Sequence, residues 1–271
     1  MASWGERCDA NVGARQAVEL SALLAGAGTR LRKRVATASR VVVFTGAGVS
    51  QESGLGTFRG RDGLWETFRP EELATPEAFA RDPARVSRWY AERFAAMRRA
   101  QPNAAHAAIA SWEALFPSLV VVTQNIDRLH QRAGSRDVLE LHGSLWVSRC
   151  AACGRESPTE LLSPDGPFPP RCGCGGAFRP GVVWFGEALP SAVLARAAEE
   201  SRASDLFVIV GSSATVWPAA GLVDLARAAA VVEVNLEATP FAARADLALR
   251  GAAGELLPVL TAEFESWRSR A

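Results

Sequence analysis

Val41-Val42-Val43-Phe44-Thr45-Gly46-Ala47-Gly48-Val49-Ser50-Gln51-Glu52-Ser53-Gly54 is a β-rich apolar run that passes directly into a glycine-rich turn. Four consecutive apolar β-formers bounded by glycine predict a strand covered on both faces. A glycine turn at its carboxyl end lets backbone amides face phosphate oxygens, which predicts a nucleotide site. It is not the ordinary dinucleotide loop. There the third glycine follows three places after the second, whereas position 51 is glutamine and the next glycine is Gly54.

Similar apolar runs recur at Leu119-Val120-Val121-Val122-Thr123, Leu206-Phe207-Val208-Ile209-Val210 and Val231-Val232-Glu233-Val234-Asn235. Helical spacing marks Ala17 to Ala38, which leads into the first strand, and Ala104 to Leu115 and Ala219 to Ala230, whose lengths suit right-handed crossovers. The alternation predicts an α/β fold with a doubly wound parallel sheet. Two stretches break it: Gly60 to Gln101 is Arg-rich and helical in character, and Cys150 to Pro180 is dense in Pro, Gly and Cys. Both read as insertions that form a second, smaller lobe.

The chain of 271 residues carries a net charge of +1, so nothing in its charge calls for nucleic acid, and the cluster Arg30-Leu31-Arg32-Lys33-Arg34 reads as a solvated helix face. No apolar segment reaches the roughly 20 residues of a membrane span, and Met1 to Arg15 lacks the pattern of a secretion signal. Glu6, Asp9 and Glu19 weigh against an organelle transit peptide. The expectation is a cytoplasmic protein, a monomer, with no membrane or nucleic-acid partner. Residues 1–30 read as an N-terminal extension.

Cys150 and Cys153 form C-x2-C; after 18 intervening residues Cys172 and Cys174 form C-x-C. Two close pairs fit one structural zinc, because so short and apolar-poor a segment cannot otherwise order itself. Two disulfides are the other reading, disfavoured where thiols stay reduced. Four thiolates leave no open coordination position, so such a metal holds structure and does no hydrolysis. Cys8 stands apart.

Gln124-Asn125-Ile126-Asp127 follows the second strand, at the edge where open α/β sheets place ligands. Asp127 could equally be a helix cap without chemistry. His142, in Leu139-Glu140-Leu141-His142-Gly143-Ser144-Leu145, lies just before the first cysteine pair. It is a candidate general base near neutral pH, or else a hydrogen-bonded, half-buried imidazole. His106 and His130 are assigned to the latter, structural kind. Gly211-Ser212-Ser213 and Asn235-Leu236-Glu237 end the third and fourth strands and line the same edge.

Together these residues resemble the sirtuin family of NAD-dependent protein deacylases. The resemblance rests on Gly46-Ala47-Gly48-Val49-Ser50, Thr57-Phe58-Arg59, Gln124-Asn125-Ile126-Asp127, His142-Gly143, the four cysteines and Val183-Trp184-Phe185-Gly186-Glu187, and it runs from about Arg40 to Pro258. It implies a Rossmann-like large lobe (about 31–59, 104–147 and 181–271), a small lobe with the zinc module (about 60–103 and 148–180), NAD as co-substrate between them, and one structural zinc. It further implies that Gly46, Ala47, Gly48, Phe58, Arg59, Trp65, Gln124, Asn125, Ile126, Asp127, Gly211, Ser212, Ser213, Asn235, Leu236, Glu237 and Ala253 bind the cofactor.

An acyl-lysine protein or peptide would pair with Val182 to Glu187 as an added strand. By the same resemblance its amide oxygen attacks the ribose carbon that bears nicotinamide. His142 then deprotonates a ribose hydroxyl that attacks the resulting imidate, and Asn125 and Asp127 hold the nicotinamide ribose. The products would be free lysine, nicotinamide and O-acyl-ADP-ribose. Departures from the family's usual residues are Gln51, Gly56, Ser212 and Trp217, none of them a catalytic group.

Tyr90, the only tyrosine, and Arg93 share one face of a helix expected over Pro83 to Arg99. They are similar to the Tyr-x-x-Arg of the desuccinylase-type (class III) subgroup, in which a guanidinium and a phenol meet a dicarboxylate acyl tail, with Ala74 leaving room beside them. The opposing reading makes Arg93 a surface arginine and Tyr90 a core aromatic. Other readings are a general deacetylase, a mono-ADP-ribosyltransferase in the same cleft, a catalytically silent NAD-sensing module, and a zinc-based nucleic-acid binder. The last conflicts with the near-neutral charge.

Overall fold

The computed structural model describes residues 28–57, 69–161 and 167–270. Six parallel strands form the main sheet: β1 (Arg40–Thr45), β2 (Ser118–Thr123), β3 (Val138–Glu140), β7 (Leu206–Val210), β8 (Ala230–Asn235) and β9 (Leu247–Arg250), in the spatial order β3-β2-β1-β7-β8-β9. The chain winds outward from β1 to one side, then returns to its other side at β7, so the topological switch point lies between β1 and β7. In open α/β sheets that is where ligands bind.

The apolar runs make central strands because both faces are covered. Val41, Val43, Val121, Val208 and Val232 pack on the helices Thr29–Thr37, Ala104–Ser111 and Ala253–Arg268. Val42, Phe44, Val120, Phe207 and Ile209 face the opposite way, with Ala197 of the Ser191–Ala203 helix and Leu222 of the Gly221–Leu225 helix. Where a helix was expected over Ala219 to Ala230, only Gly221–Leu225 is helical. The helix ends at Ala226, and Ala230 already belongs to β8.

Three antiparallel strands make a second sheet, β5-β4-β6, from β4 (Gly143–Cys150), β5 (Glu156–Pro158) and β6 (Phe178–Val182). Beside it the helix Pro83–Arg99 begins on a side-chain cap from Asp82 and buries Val86, Trp89, Tyr90, Phe94 and Met97. These join Leu145, Val182 and Trp184 in a separate apolar cluster that also takes in Ile126 and Leu129. The loops after β2 and before β4 therefore share this cluster's core. Among the described residues, no helix is long and apolar enough to cross a membrane.

At the switch point the turns after β1 and β7 meet backbone to backbone. The Gly46 amide donates to Val210 O (3.1 Å) and the Gly48 amide to Gly211 O (2.8 Å). A Cβ on Gly48 would stand 2.8 Å from Gly211 Cα, and one on Gly211, whose φ is +58°, would stand 2.3 Å from the Val49 nitrogen. Neither neighbour is a side-chain end that can swing away. Gly211→Ala is therefore expected to cost at least about 2 kcal/mol in urea unfolding, from left-handed strain and the clash together. Gly56→Ala, where an added Cβ meets nothing within 4 Å, should be neutral or slightly stabilising.

Candidate functional site

The carboxyl ends of β1 and β2 carry a buried polar network. Thr45 Oγ1 donates to Thr123 Oγ1 (2.8 Å), and His130 Nε2 lies 3.0 Å from Thr45 Oγ1. Thr123 Oγ1 also accepts from the Asn125 amide (3.0 Å). The Asn125 side-chain nitrogen donates to Gly46 O (3.2 Å) and Ser50 Oγ (3.1 Å). Ser50 Oγ in turn donates to Asp127 Oδ2 (2.7 Å). Buried polar groups persist only when so partnered, and this network fixes Asn125 and Asp127 against the glycine turn.

Asp127 is held by hydrogen bonds at both carboxylate oxygens. Its Oδ1 accepts from the Leu129 amide (2.9 Å) in an Asx turn that leads into the short helix Leu129–Arg132, while Oδ2 is held by Ser50. Burial raises its pKa, and the hydrogen bonds from Leu129 and Ser50 oppose that rise. Preceding it, Ile126 is buried in the apolar cluster.

His106 and His130 are fully buried, not merely half-buried, with ring centroids 4.9 Å apart. His106 completes a capping box with Asn103 at the start of Ala104–Ser111, and the Asn103 side chain donates to Val49 O (2.8 Å), tying that helix to the turn. Burial pushes the pKa of His106 down to about 4, and burial with the neighbouring His106 pushes that of His130 down to about 3. Both are neutral at pH 7.

His142 is half-buried just before β4. Its Nδ1 lies 2.9 Å from Gln124 O; a carbonyl only accepts, so Nδ1 carries the proton and Nε2 keeps a lone pair. Burial lowers its pKa and the Gln124 bond opposes this, so the neutral, basic form holds at pH 7. The Gln124 side chain reaches across the switch point to Ser212 Oγ (2.8 Å).

A cavity opens at the same edge, lined by Gly48, Gln51, Glu52, Gly211, Asn235 and Ala253 among others. Asn235 holds the β7 turn by donating to Ser212 O (2.9 Å). Glu52 Oε2 accepts from the Gly254 amide (2.6 Å) in the first turn of Ala253–Arg268. Glycine backbone, a helix N-terminus and an amide side chain converge on this cavity of about 30 Å³, a donor set suited to the phosphate or ribose part of a nucleotide. Gly46 and Ala47 open the 3-10 turn beside it. Leu236 also lines the cavity, while Ser213 (2.9 Å from Thr215 Oγ1) and Glu237 are exposed. Phe58, Arg59 and Trp65 lie outside the described residues. Asn103 and Glu52 were not singled out from sequence, and Ser50 and Gln51 only as members of the glycine turn; only the Pro102-Asn103-Ala104-Ala105-His106 cap pattern could have flagged Asn103.

The four cysteines converge, their sulfurs all within 4.8 Å of one another. Cys150 Sγ is 3.5 Å from Cys174 Sγ, and Cys153 Sγ is 3.8 Å from Cys172 Sγ. These separations exceed the roughly 2 Å of a disulfide and match the ~3.8 Å edge of a tetrahedron with Zn–S near 2.3 Å. The set fits one structural zinc.

Tyr90 and Arg93 stand together on Pro83–Arg99. Tyr90 Oη accepts from Trp184 Nε1 (3.0 Å), and burial pushes its pKa up to about 12, so it keeps its proton. Arg93 Cζ lies 4.9 Å from the centre of the Trp89 ring, and burial lowers its pKa. Ala74 is buried, and its carbonyl accepts from the Phe185 amide (2.9 Å). The segment expected to receive a peptide strand is a turn: the Val183 amide donates to His142 O (2.9 Å), the Trp184 amide to Glu187 Oε2 (2.8 Å), and Gly186 has φ +87°. Glu187 is in turn gripped by Arg179 through two hydrogen bonds (2.5 and 2.9 Å).

Residues 46–218 match the model of the Sir2 family. An "NAD-dependent protein deacylase 1" of Archaeoglobus fulgidus is 49% identical over 233 residues, 85% of this chain and 95% of that protein. An "NAD-dependent protein deacylase 2" of Pyrobaculum aerophilum is 51% identical over 234 residues, 85% and 93%. A crystal structure of a Sir2 homolog–NAD complex superposes with a TM-score of 0.81 at 47% identity, over 88% of this chain and 94% of that one.

The two buried histidines set a pH limit. Unfolded, each takes up a proton below its ordinary pKa of 6.5; folded, it resists until about pH 4 for His106 and about pH 3 for His130. The unfolded state then binds more protons, so stability falls as pH drops from about 6.5, by up to roughly 1.4 kcal/mol per pH unit for each histidine. Urea midpoints measured from pH 7.5 to 4.5 should fall in this window. A flat profile contradicts the burial.

Proposed function

The chain belongs to the Sir2 family, and on that footing we propose that it is an NAD-dependent protein-lysine deacylase that removes succinyl and malonyl groups in preference to acetyl. The observation that carries the catalytic reading is His142: Nδ1 is committed to the Gln124 carbonyl, which leaves Nε2 as the base. NAD, the co-substrate, supplies the electrophilic ribose carbon. The residues proposed to bind it are those around the switch-point cavity, with Asn125 and Asp127 locked by Ser50 to position the nicotinamide ribose. Preorganised polar groups of this kind need no rearrangement when the reaction occurs.

An acyl-lysine peptide would enter beside Val183 to Glu187. That turn is braced by Arg179–Glu187 and by the Ala74 carbonyl, so it offers a fixed wall. In this reading residues 60–103 and 148–180 act as the small lobe, with zinc held by Cys150, Cys153, Cys172 and Cys174.

The dicarboxylate preference is supported by a protonated phenol at Tyr90 and a partly buried guanidinium at Arg93 on one helix. A charge-assisted hydrogen bond to an acyl carboxylate is worth about 1.5–3 kcal/mol. Arg93→Met should therefore lower kcat/KM for succinyl-lysine peptide by about 10- to 100-fold while acetyl activity is retained. His142→Ala should abolish deacylation of both with the urea midpoint unchanged. Equal efficiency of the unmodified enzyme on acetyl and succinyl peptides contradicts the preference; retained turnover in His142→Ala contradicts the base.

A further inference from the structure

Glu233 is the one charged residue within β8, and it is fully buried. Alternation along the strand turns it to the face opposite Val232 and Val234, and in register it lies between Ile209 of β7 and Ala248 of β9. A carboxylate withdrawn from water is costly unless it is paired. Here both oxygens are engaged. Oε2 accepts from the Thr239 hydroxyl, and Oε1 forms an ion pair with Arg250 Nη2 (2.6 Å), which reaches in from the edge strand β9.

The two partners belong to the two segments that wall the switch-point cavity on this side. Thr239 lies in the loop that leaves β8 through Asn235 and Leu236, and it shapes that loop further by accepting from the Phe241 amide (3.1 Å). Arg250 ends β9 immediately before Gly251, Ala252 and Ala253. Asn235, Leu236, Gly251, Ala252 and Ala253 all line the cavity, and the Gly251 amide donates to Asn235 O (3.1 Å). Stability alone does not call for the charged pair. Buried ion pairs replaced as a whole by apolar side chains commonly leave a fold as stable or more so, and valine already fills the β8 positions on either side. What the carboxylate adds is a directional tie between the two segments.

We propose that Glu233 is a positioning residue for the nucleotide: through Thr239 and Arg250 it holds Leu236 and residues 251–253 at the spacing that the part of NAD bound in this cavity requires. The proposal rests on the reading of the chain as an NAD-dependent deacylase. Glu233 does not touch the cofactor in this role. It acts at one remove, through the loop after β8 and the end of β9, so its loss is felt in NAD binding and not at the turn from Val183 to Glu187, where the peptide is proposed to enter.

The test uses the full chain and two variants. Glu233→Gln keeps an acceptor for Thr239 and loses the charge that holds Arg250; Glu233→Leu combined with Arg250→Leu removes the tie and leaves no charge unpaired, which serves if the first variant does not fold. NAD is titrated by calorimetry in the absence of peptide, and KM for NAD, KM for acyl-lysine peptide and the urea midpoint are measured alongside. Each variant should weaken NAD binding and raise its KM by about 5- to 20-fold, as when a binding group is displaced by a fraction of an ångström, while KM for peptide moves by less than about twofold. A role in stability alone would shift the urea midpoint and leave NAD affinity unchanged. Unchanged NAD affinity in a folded variant, or a peptide KM raised as much as that for NAD, overturns the positioning role and leaves the deacylase reading intact. Failure of the unmodified chain to bind NAD overturns both.

Discussion

The close contact between the turns after β1 and β7 is the constraint from which the rest of the site follows. Gly46 and Gly48 bond to Val210 and Gly211 carbonyls at a distance that excludes any Cβ. That contact holds Val49 and Ser50 over the ends of β1 and β2, and Ser50 then meets both Asn125 and Asp127. The glycines are needed first for backbone packing. Their availability to a phosphate is a consequence of the same bare backbone.

From that point the polar groups order one another. Thr45 and Thr123 fix the Asn125 amide, Asn103 draws the Ala104–Ser111 helix onto Val49, and Gln124 uses both ends: its carbonyl sets the His142 tautomer and its side chain reaches Ser212. The His142 imidazole, the Ser50–Asn125–Asp127 network and the glycine-lined cavity are thus tied into one hydrogen-bonded unit. Burial keeps its three histidines neutral at pH 7.

The central strands were legible because they are covered on both faces: β7 begins and ends where its apolar run does, and β1, β2 and β8 differ by a residue at most. β3, β5 and β9 were not, since three or four residues carry too little pattern. β4 and β6 border a segment whose order comes from four thiolates, so local propensity said little there. Asn125, Asp127 and His142 could be nominated from position along the chain, as could the four cysteines from spacing. Ser50 could not, because its role depends on a helix cap, two strand ends and a turn meeting in space.

The most direct measurement follows NAD, nicotinamide, NADH and peptide together by mass spectrometry in one reaction with an acyl-lysine peptide. One nicotinamide and one O-acyl-ADP-ribose should appear for each lysine freed, with no NADH. Formation of NADH, or nicotinamide released at the same rate without acyl-lysine, contradicts a site built to cleave NAD in the service of deacylation.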